Sequence, residues 1–176
     1  MRKYIIILLS VLLISILLLS GCTPQINSEK IQNQKESKPI KSDIPTNANT
    51  NQKYTGELLA GTQSPYLIFN TADYEKAIRE HKIILLYFYA NWCPLCKQEQ
   101  PEIIAAFNQL QNENIIGFRV NYKDSETDDS EVAIATQFGI AYQHTKVILK
   151  ENKIIIKAPN SWNKEKYVEE IAKSTT

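Results

Sequence analysis

The chain has 176 residues, of which 20 are Lys or Arg and 19 are Asp or Glu, so its formal net charge at pH 7 is +1. Such a balanced charge excludes the strong basic field that steers proteins to nucleic acid. The length predicts a single folded domain, and we expect a monomer. The apolar residues are distributed unevenly, and three stretches of different character follow one another along the chain.

The first stretch, residues 1–21, is typical of a bacterial secretory signal peptide. It begins with the basic pair Arg2-Lys3, and the apolar run 4–19 that follows is shorter than the roughly 20 residues that span a bilayer comfortably. Its end, Leu19-Ser20-Gly21-Cys22, resembles the lipobox, where the peptide is cut before a cysteine that then carries lipid. We therefore expect Cys22 to be lipidated and the lipid to attach the chain to a bacterial membrane, outside the cytoplasm. We expect this membrane to be the cell membrane. An uncleaved helical anchor is the alternative.

The second stretch, residues 22–64, predicts a disordered tether that starts at the lipidated Cys22. It is rich in Asn, Gln, Lys, Ser and Thr, with scattered apolar residues and prolines at positions 24, 39 and 45. Such a composition cannot bury enough apolar surface to offset the entropy lost on ordering. A flexible coil of about 40 residues has an r.m.s. reach of roughly 35 Å, which is enough to hold a domain clear of the lipid headgroups.

The third stretch, residues 65–176, has the size and the pattern of an α/β domain. Its apolar periodicity predicts the order βαβαβαββα, which implies a central mixed β-sheet flanked by helices. The run 83–89 is apolar or aromatic throughout, as in a strand that is covered on both faces. The predicted strands are residues 66–69, 83–89, 115–121, 146–150 and 153–157, and the predicted helices are residues 72–81, 94–111, 130–138 and 163–172.

The motif that carries chemistry is Cys93-Pro94-Leu95-Cys96, since Cys22 is assigned to lipid and no further cysteine follows. Cys93 follows a predicted buried strand and opens a helix, where unpaired N–H groups and the helix dipole stabilise a thiolate. Pro94 falls at the first helical position, where its missing N–H costs nothing. Cys96 lies one turn further on and can attack a mixed disulfide formed at Cys93. This spacing therefore predicts an exposed nucleophile, Cys93, and a shielded resolving thiol, Cys96.

Other interpretations of the cysteine pair stay open at this point. A structural disulfide across so short a loop would restrict the unfolded chain little. A zinc site of four cysteines is excluded by the number of cysteines in the domain. Binding of a metal ion or an iron–sulfur cluster with a further ligand, or a pair of buried free thiols, are the remaining alternatives.

The segment 83–101, IILLYFYANWCPLCKQEQP, resembles the central strand, active site and following helix of the thioredoxin family. Trp92 stands where the family has a tryptophan beside the nucleophile, and Pro101 matches the proline inside the active-site helix. Phe138-Gly139-Ile140 and the segment TKVILKENK are similar to the family's later elements. The resemblance covers residues 66–176.

The resemblance implies a thioredoxin-like fold and a thiol–disulfide oxidoreductase in which Cys93 and Cys96 alternate between a dithiol and a disulfide. Trp92, Pro94 and Leu95 would shape the site around them. The expected partners are protein thiols and disulfides together with a redox partner protein, and neither a cofactor nor a metal is expected. The direction of electron flow is left open by the sequence.

One departure from the family's pattern lies in the loop that faces the cysteines. The family has a cis-proline before the threonine that opens the next strand, whereas this chain has His144 before Thr145. A cis bond before a non-proline residue costs about 3–4 kcal/mol, so we expect the Gln143–His144 bond to be trans. His144 and Thr145 then join the predicted site, where the imidazole favours the thiolate or helps Cys93 and Cys96 to bind metal. A solvent-facing histidine is the alternative.

A second departure is Tyr87, which stands where many thioredoxins carry a buried aspartate that helps to deprotonate the resolving cysteine. A phenol cannot serve as a base near neutral pH, and we expect Tyr87 to be a core aromatic residue. Two functions therefore compete with the enzyme. One is a metal or iron–sulfur binding protein that uses Cys93, Cys96 and His144, and the other is a non-catalytic interaction module.

Overall fold

The structure is a computed structural model in which residues 53–175 are described. The predicted signal peptide, the predicted lipidation site at Cys22 and most of the predicted tether lie outside the described residues. Between residues 53 and 175, no helix is long and apolar enough to cross a membrane.

Residues 53–175 form six strands and four helices. Each strand and helix predicted for the domain is present, with small shifts at the ends, so the predicted α/β organisation is confirmed. The strands are β1 (Leu58–Ala60), β2 (Tyr66–Ile68), β3 (Ile83–Tyr89), β4 (Ile115–Asn121), β5 (Thr145–Lys150) and β6 (Lys153–Ala158), and the helices are α1 (Thr71–Arg79), α2 (Pro94–Gln109), α3 (Asp129–Gln137) and α4 (Lys164–Thr175).

The strands form one mixed sheet in the order β1-β2-β4-β3-β5-β6. β2 and β3 run parallel to β4, and β5 pairs antiparallel with β3. The edge strands β1 and β6 are also antiparallel to their neighbours. β3 therefore lies between two partners in the middle of the sheet, which explains its continuous apolar sequence.

β3 supplies side chains to both faces of the sheet because consecutive residues of a strand point to opposite sides. Leu85 and Tyr87 pack in a cluster with side chains from α2 and α4. Leu86 and Phe88 pack in a second cluster with side chains from α1 and α3. Two helices thus cover each face, and both cysteines of the motif belong to the first cluster.

The folded domain begins earlier than predicted, because β1 (Leu58–Ala60) lies inside the segment that was assigned to the tether. Polar groups of this segment form hydrogen bonds with the rest of the domain. The composition of the segment does not predict these bonds. The Asp73 carboxylate accepts backbone N–H groups from Thr55 at 2.9 and 3.0 Å and from Gly56 at 2.7 Å. The Ser64 hydroxyl is buried and donates to a backbone carbonyl at 2.7 Å. The tether prediction is therefore wrong for this segment.

Asp73→Asn is expected to lower the free energy of unfolding by about 1–3 kcal/mol, because Thr55 and Gly56 lose part of a charged, buried acceptor. Burial raises the pKa of Asp73, but hydrogen bonds from Asn70, Gly56 and Thr55 outweigh burial and hold it below its ordinary value. The ionised carboxylate therefore stabilises the fold above the unfolded-state pKa of about 3.9, and this stabilisation is lost as the pH falls below that value. Urea unfolding along a pH series checks both statements.

The matched control is Glu75→Gln, which removes an exposed carboxylate from the same helix and is expected to change stability by at most about 0.5 kcal/mol. Wild type should lose more stability on acidification than Asp73→Asn. Identical acid losses in the two proteins would contradict the anchoring of residues 55–56 by Asp73.

Candidate active site

Cys93 is the N-cap of α2, and its sulfur accepts a hydrogen bond from the helix that it opens. Its backbone is extended, with φ −82° and ψ 115°, and its sulfur lies 3.2 Å from the backbone nitrogen of Cys96. Pro94 follows in the first turn of the helix. The helix N-terminus thus provides the sulfur with both an N–H donor and the positive end of the dipole.

Both cysteines of the motif are free thiols, and Cys93 is less exposed than predicted. It is 3% exposed, because the capping geometry turns its sulfur inward to the N–H of Cys96. Cys96 is completely buried. The prediction of an exposed nucleophile is therefore wrong for this structure, since both thiols are buried.

Exposed apolar side chains lie next to the cysteines in the chain and in the loop before β5. Trp92 and Leu95, next to the two cysteines in the chain, are each 53% exposed, and Tyr142 in the loop before β5 is 52% exposed. The indole N–H of Trp92 donates to the Lys123 carbonyl at 3.0 Å, which fixes the ring against the loop after β4. Apolar surface of this kind is typical of a place where another protein binds.

His144 lies in the loop before β5, and its bond to Gln143 is trans, since no peptide bond in the described part of the chain is cis. Its φ is 68°, a left-handed conformation that histidine adopts more readily than most residues with a side chain. Its N–H donates to the Phe88 carbonyl at 2.7 Å, which ties the loop to the end of β3. Thr145 is buried and its hydroxyl donates to the Tyr142 carbonyl at 2.9 Å.

The His144 ring is 6% exposed, so the solvent-facing alternative is wrong. Its described contacts are with Tyr87, Glu99 and Ser161. Nδ1 lies 3.4 Å from the Tyr87 hydroxyl, and Nε2 lies 2.9 Å from both the Ser161 hydroxyl and Oε2 of Glu99. Burial lowers the pKa of His144, Lys146 lowers it further, and Glu99 acts in the opposite direction. The imidazole is therefore neutral at neutral pH.

The structure does not support the metal-binding alternative for Cys93, Cys96 and His144. Across residues 53–175, no group of three or more His, Cys, Asp or Glu side chains is placed to hold a metal ion. The imidazole that would complete such a site is instead engaged with a carboxylate and two hydroxyl groups.

A buried ion pair lies beneath the motif, between Glu99 on α2 and Lys146 on β5. The residues are 3% and 0% exposed, and Nζ of Lys146 lies 2.9 and 3.2 Å from the two carboxylate oxygens. Glu99 Oε1 also accepts the Tyr167 hydroxyl at 2.6 Å and the Trp162 backbone N–H at 3.0 Å. Lys146 donates to two backbone carbonyl oxygens as well. A pair with this many partners has its charges compensated, which a buried ion pair requires.

This ion pair was not predicted, although each of its members leaves a signal in the sequence. Glu99 follows Cys96 by three residues, so the two lie on the same buried face of α2. Lys146 is a lysine inside an otherwise apolar strand, and it points to the same side of the sheet as Ile148. Lys146 meets Glu99 because β5 pairs with β3, and this pairing places Lys146 opposite Tyr87.

Tyr87 is a completely buried core aromatic residue, but its hydroxyl has polar partners that the sequence did not predict. It lies 3.4 Å from Nδ1 of His144, and Tyr87 belongs to the same buried cluster as Cys96. Burial raises the pKa of Cys96 to about 11, Cys93 contributes to the rise, and the hydrogen bond with Tyr87 opposes it. The Tyr87 hydroxyl thus influences the resolving thiol and also contacts the histidine.

The sequence model of the thioredoxin family matches residues 65–173, which is more than half of the chain. The chain belongs to the thioredoxin family. It is 29% identical over 108 residues to thioredoxin H4 of Arabidopsis thaliana, and the match covers 60% of this chain and 82% of that protein. It is 36% identical over 75 residues to protein disulfide-isomerase of Gallus gallus, a match that covers 42% of this chain but spans only 14% of the length of that relative.

Solved structures of thioredoxins share the fold. Thioredoxin f from spinach chloroplast has a TM-score of 0.52 at 20% identity, covering 68% of this chain and 99% of that one. The first thioredoxin domain of mouse protein disulfide-isomerase A4 has a TM-score of 0.52 at 21% identity, covering 72% of this chain and 88% of that one. The predicted thioredoxin-like fold is confirmed, and the chain is a redox protein of this family with a CxxC pair.

Lys146→Met is expected to lower the free energy of unfolding by about 3–5 kcal/mol, because the Glu99 carboxylate remains buried without its cation. The double variant Glu99→Gln/Lys146→Met is expected to recover part of this loss, since it removes both charges together. Urea unfolding of the reduced proteins measures both effects.

Lys153→Met on the exposed edge strand β6 is the control for loss of a lysine, with an expected change of at most about 0.5 kcal/mol. If Lys146→Met and Lys153→Met lost the same amount of stability, the contacts between Lys146 and Glu99 would not stabilise the fold.

Proposed function

We propose that this protein is a thiol–disulfide oxidoreductase that acts on protein thiols and disulfides outside the cytoplasm, anchored to a bacterial membrane by lipid on Cys22. The observation that carries the chemistry is the thiol pair at the start of α2, where the Cys93 sulfur accepts the N–H of Cys96 at 3.2 Å. Membership of the thioredoxin family supports the same chemistry. The signal peptide and lipobox pattern of residues 1–22 supports the location.

In the proposed reaction, the Cys93 thiolate attacks a substrate disulfide, forms a mixed disulfide and releases the first substrate thiolate. Cys96 then attacks the Cys93 sulfur, so the Cys93–Cys96 bond forms and the second substrate thiolate leaves. The two electrons gained by the substrate come from the dithiol, which a redox partner protein must regenerate. The reverse sequence oxidises a dithiol substrate. A reduction potential of about −270 mV for the Cys93–Cys96 couple makes the protein a reductase, and one of about −120 mV makes it an oxidant.

The surface around the thiols supports a protein substrate. Trp92 and Leu95 expose apolar area next in the chain to Cys93 and Cys96, which are themselves almost covered. An extended polypeptide that packs on these side chains buries apolar surface while its disulfide approaches Cys93. A solved complex of ferredoxin:thioredoxin reductase with thioredoxin f2, similar to this chain at a TM-score of 0.50, is an example of a protein of this fold bound to a redox partner.

Cys93→Ser is expected to abolish reduction of a protein disulfide such as that of insulin, because the attacking thiolate is lost. Cys96→Ser is expected to accumulate the mixed disulfide with the substrate, which a non-reducing gel shows as a band of added mass.

Cys22→Ser is the matched cysteine control in this assay and should retain exchange activity, because Cys22 is outside the thiol pair. Turnover that survives in Cys93→Ser would refute the proposed chemistry. A wild-type protein with two titratable thiols and no turnover would instead favour the interaction module.

Cys22→Ser is also expected to abolish incorporation of radioactive palmitate and to leave the signal peptide uncut, because lipid transfer to the sulfur precedes cleavage at the lipobox. Labelling of growing cells, followed by fractionation and mass measurement, checks this. Cys93→Ser and Cys96→Ser should be labelled like wild type. An unlabelled wild-type chain that keeps its first residues would establish the uncleaved anchor in place of the lipoprotein.

A further inference from the structure

We propose that a cavity beside Leu95 receives a lysine or arginine side chain of the substrate polypeptide. The carboxylate of Glu102 at this cavity makes the protein prefer substrates that carry such a residue near the reacting cysteine. The inference rests on the proposed function, because it names the class of protein substrate on which Cys93 acts.

The cavity lies between the first half of α2 and the segment before α4. Its volume is about 230 Å³. α2 contributes Leu95, Gln98, Glu99 and Glu102 to its lining, and residues 161–163 form the opposite wall. Sites that enclose a small molecule have volumes of roughly 300–1,000 Å³, so this smaller cavity suits a single side chain.

The cavity adjoins the cysteine motif along α2. Leu95, which lies between Cys93 and Cys96 in the chain, is part of its lining. Glu102 is nine residues beyond Cys93, a distance of roughly 14 Å along a helix. An extended polypeptide advances about 3.3 Å per residue, so a long side chain about two to four positions from the substrate cysteine reaches Glu102.

Glu102 supplies a negative charge to the cavity. Its side chain is half-buried, and Oε2 accepts the backbone N–H of Lys164 at 2.8 Å. Within the described part of the chain Glu102 forms no ion pair, and the ammonium group of Lys164 lies 3.2 Å from Glu165 instead. The carboxylate therefore keeps its charge for an entering group.

The other polar groups at the cavity are neutral or have their charge compensated. Glu99 is paired with Lys146 at 2.9 Å, and the Ser161 hydroxyl lies 2.9 Å from Nε2 of His144. The described lining contains no Lys or Arg that would repel an entering cation. The charge of Glu102 therefore dominates, and it attracts a cation.

Leu95 gives the cavity an apolar wall as well. Its side chain is 53% exposed, so it offers surface to a ligand. The methylene groups of a lysine or arginine can pack on such a wall while the charged end reaches Glu102. An acidic side chain would instead meet a carboxylate of its own charge. We therefore expect the order of preference to be basic, then uncharged, then acidic.

The size of the preference follows from the exposure of Glu102. A partly exposed ion pair changes a rate by at most about fivefold. The attraction of a lysine and the repulsion of a glutamate add together, so a basic substrate is expected to react about tenfold faster than an acidic one. Such a difference is easily measured.

The test uses peptides with a single cysteine that is joined in a disulfide to a coloured aromatic thiol. Each peptide carries lysine, norleucine or glutamate at one position, which is two, three or four residues before or after the cysteine. The full-length reduced chain with Cys22→Ser is present in excess, and the second-order rate of colour release is measured. For each protein, every rate is divided by the rate with the norleucine peptide, so that a general change in thiol reactivity cancels.

In the protein with Glu102, the lysine peptide is expected to react about threefold faster than the norleucine peptide at the best position, and about tenfold faster than the glutamate peptide. Glu102→Gln keeps an oxygen for the N–H of Lys164 and should bring these ratios to within about twofold of one. Glu102→Lys should reverse the order. Salt at about 1 M, where the Debye length is about 3 Å, should weaken the preference of the unchanged protein.

The control is Glu113→Gln, which changes the net charge equally but removes an exposed carboxylate just before β4, away from the cavity. It should keep the full preference for lysine. Equal ratios for all peptides, or a loss of preference in Glu113→Gln as large as in Glu102→Gln, would overturn the subsite while the exchange activity stands. A chain that reacts with none of the peptides would overturn the proposed function instead.

Discussion

The buried carboxylate of Glu99 holds the reactive end of this domain together. It binds Lys146 on β5, Tyr167 on α4 and the backbone of Trp162, and it also contacts His144 in the loop before β5. These elements come from distant parts of the chain, and each contact is charge-assisted, so together they fix where the loop and the helix lie. The position of the histidine relative to the thiols depends on this arrangement.

The position of the buried negative charge distinguishes this chain from the thioredoxin pattern that its sequence resembles. The position where many thioredoxins carry an aspartate holds the neutral Tyr87, and the buried negative charge is on the active-site helix at Glu99, paired with Lys146. A second carboxylate at position 87 would face Glu99 in the same buried layer, and two such charges raise one another's pKa. A phenol avoids this repulsion, and at Tyr87 it lowers the pKa of Cys96 against the effect of burial.

Much of the fold was predictable because long apolar runs are unambiguous. β3 (Ile83–Tyr89) and β4 (Ile115–Asn121) have the predicted bounds, since both are buried central strands that begin directly after a polar residue. β1 (Leu58–Ala60) was missed because it is a short edge strand in a polar segment; it pairs with β2, and Asp73 binds Gly56 just before it. Local periodicity carries no information about such contacts.

The sequence alone determined the chemistry at the start of α2. A buried strand, a Cys-Pro-x-Cys step and a helix are neighbours in the chain, so the cap formed by Cys93 and the burial of Cys96 follow from local backbone geometry. The tertiary structure alone decided what surrounds Cys96. Tyr87 and His144 are 57 positions apart and meet only because β3 and β5 pair in one register while α2 packs over both. Contacts between side chains so far apart in the chain are set by strand register and by the packing of helices on the sheet. No local sequence pattern encodes either of these.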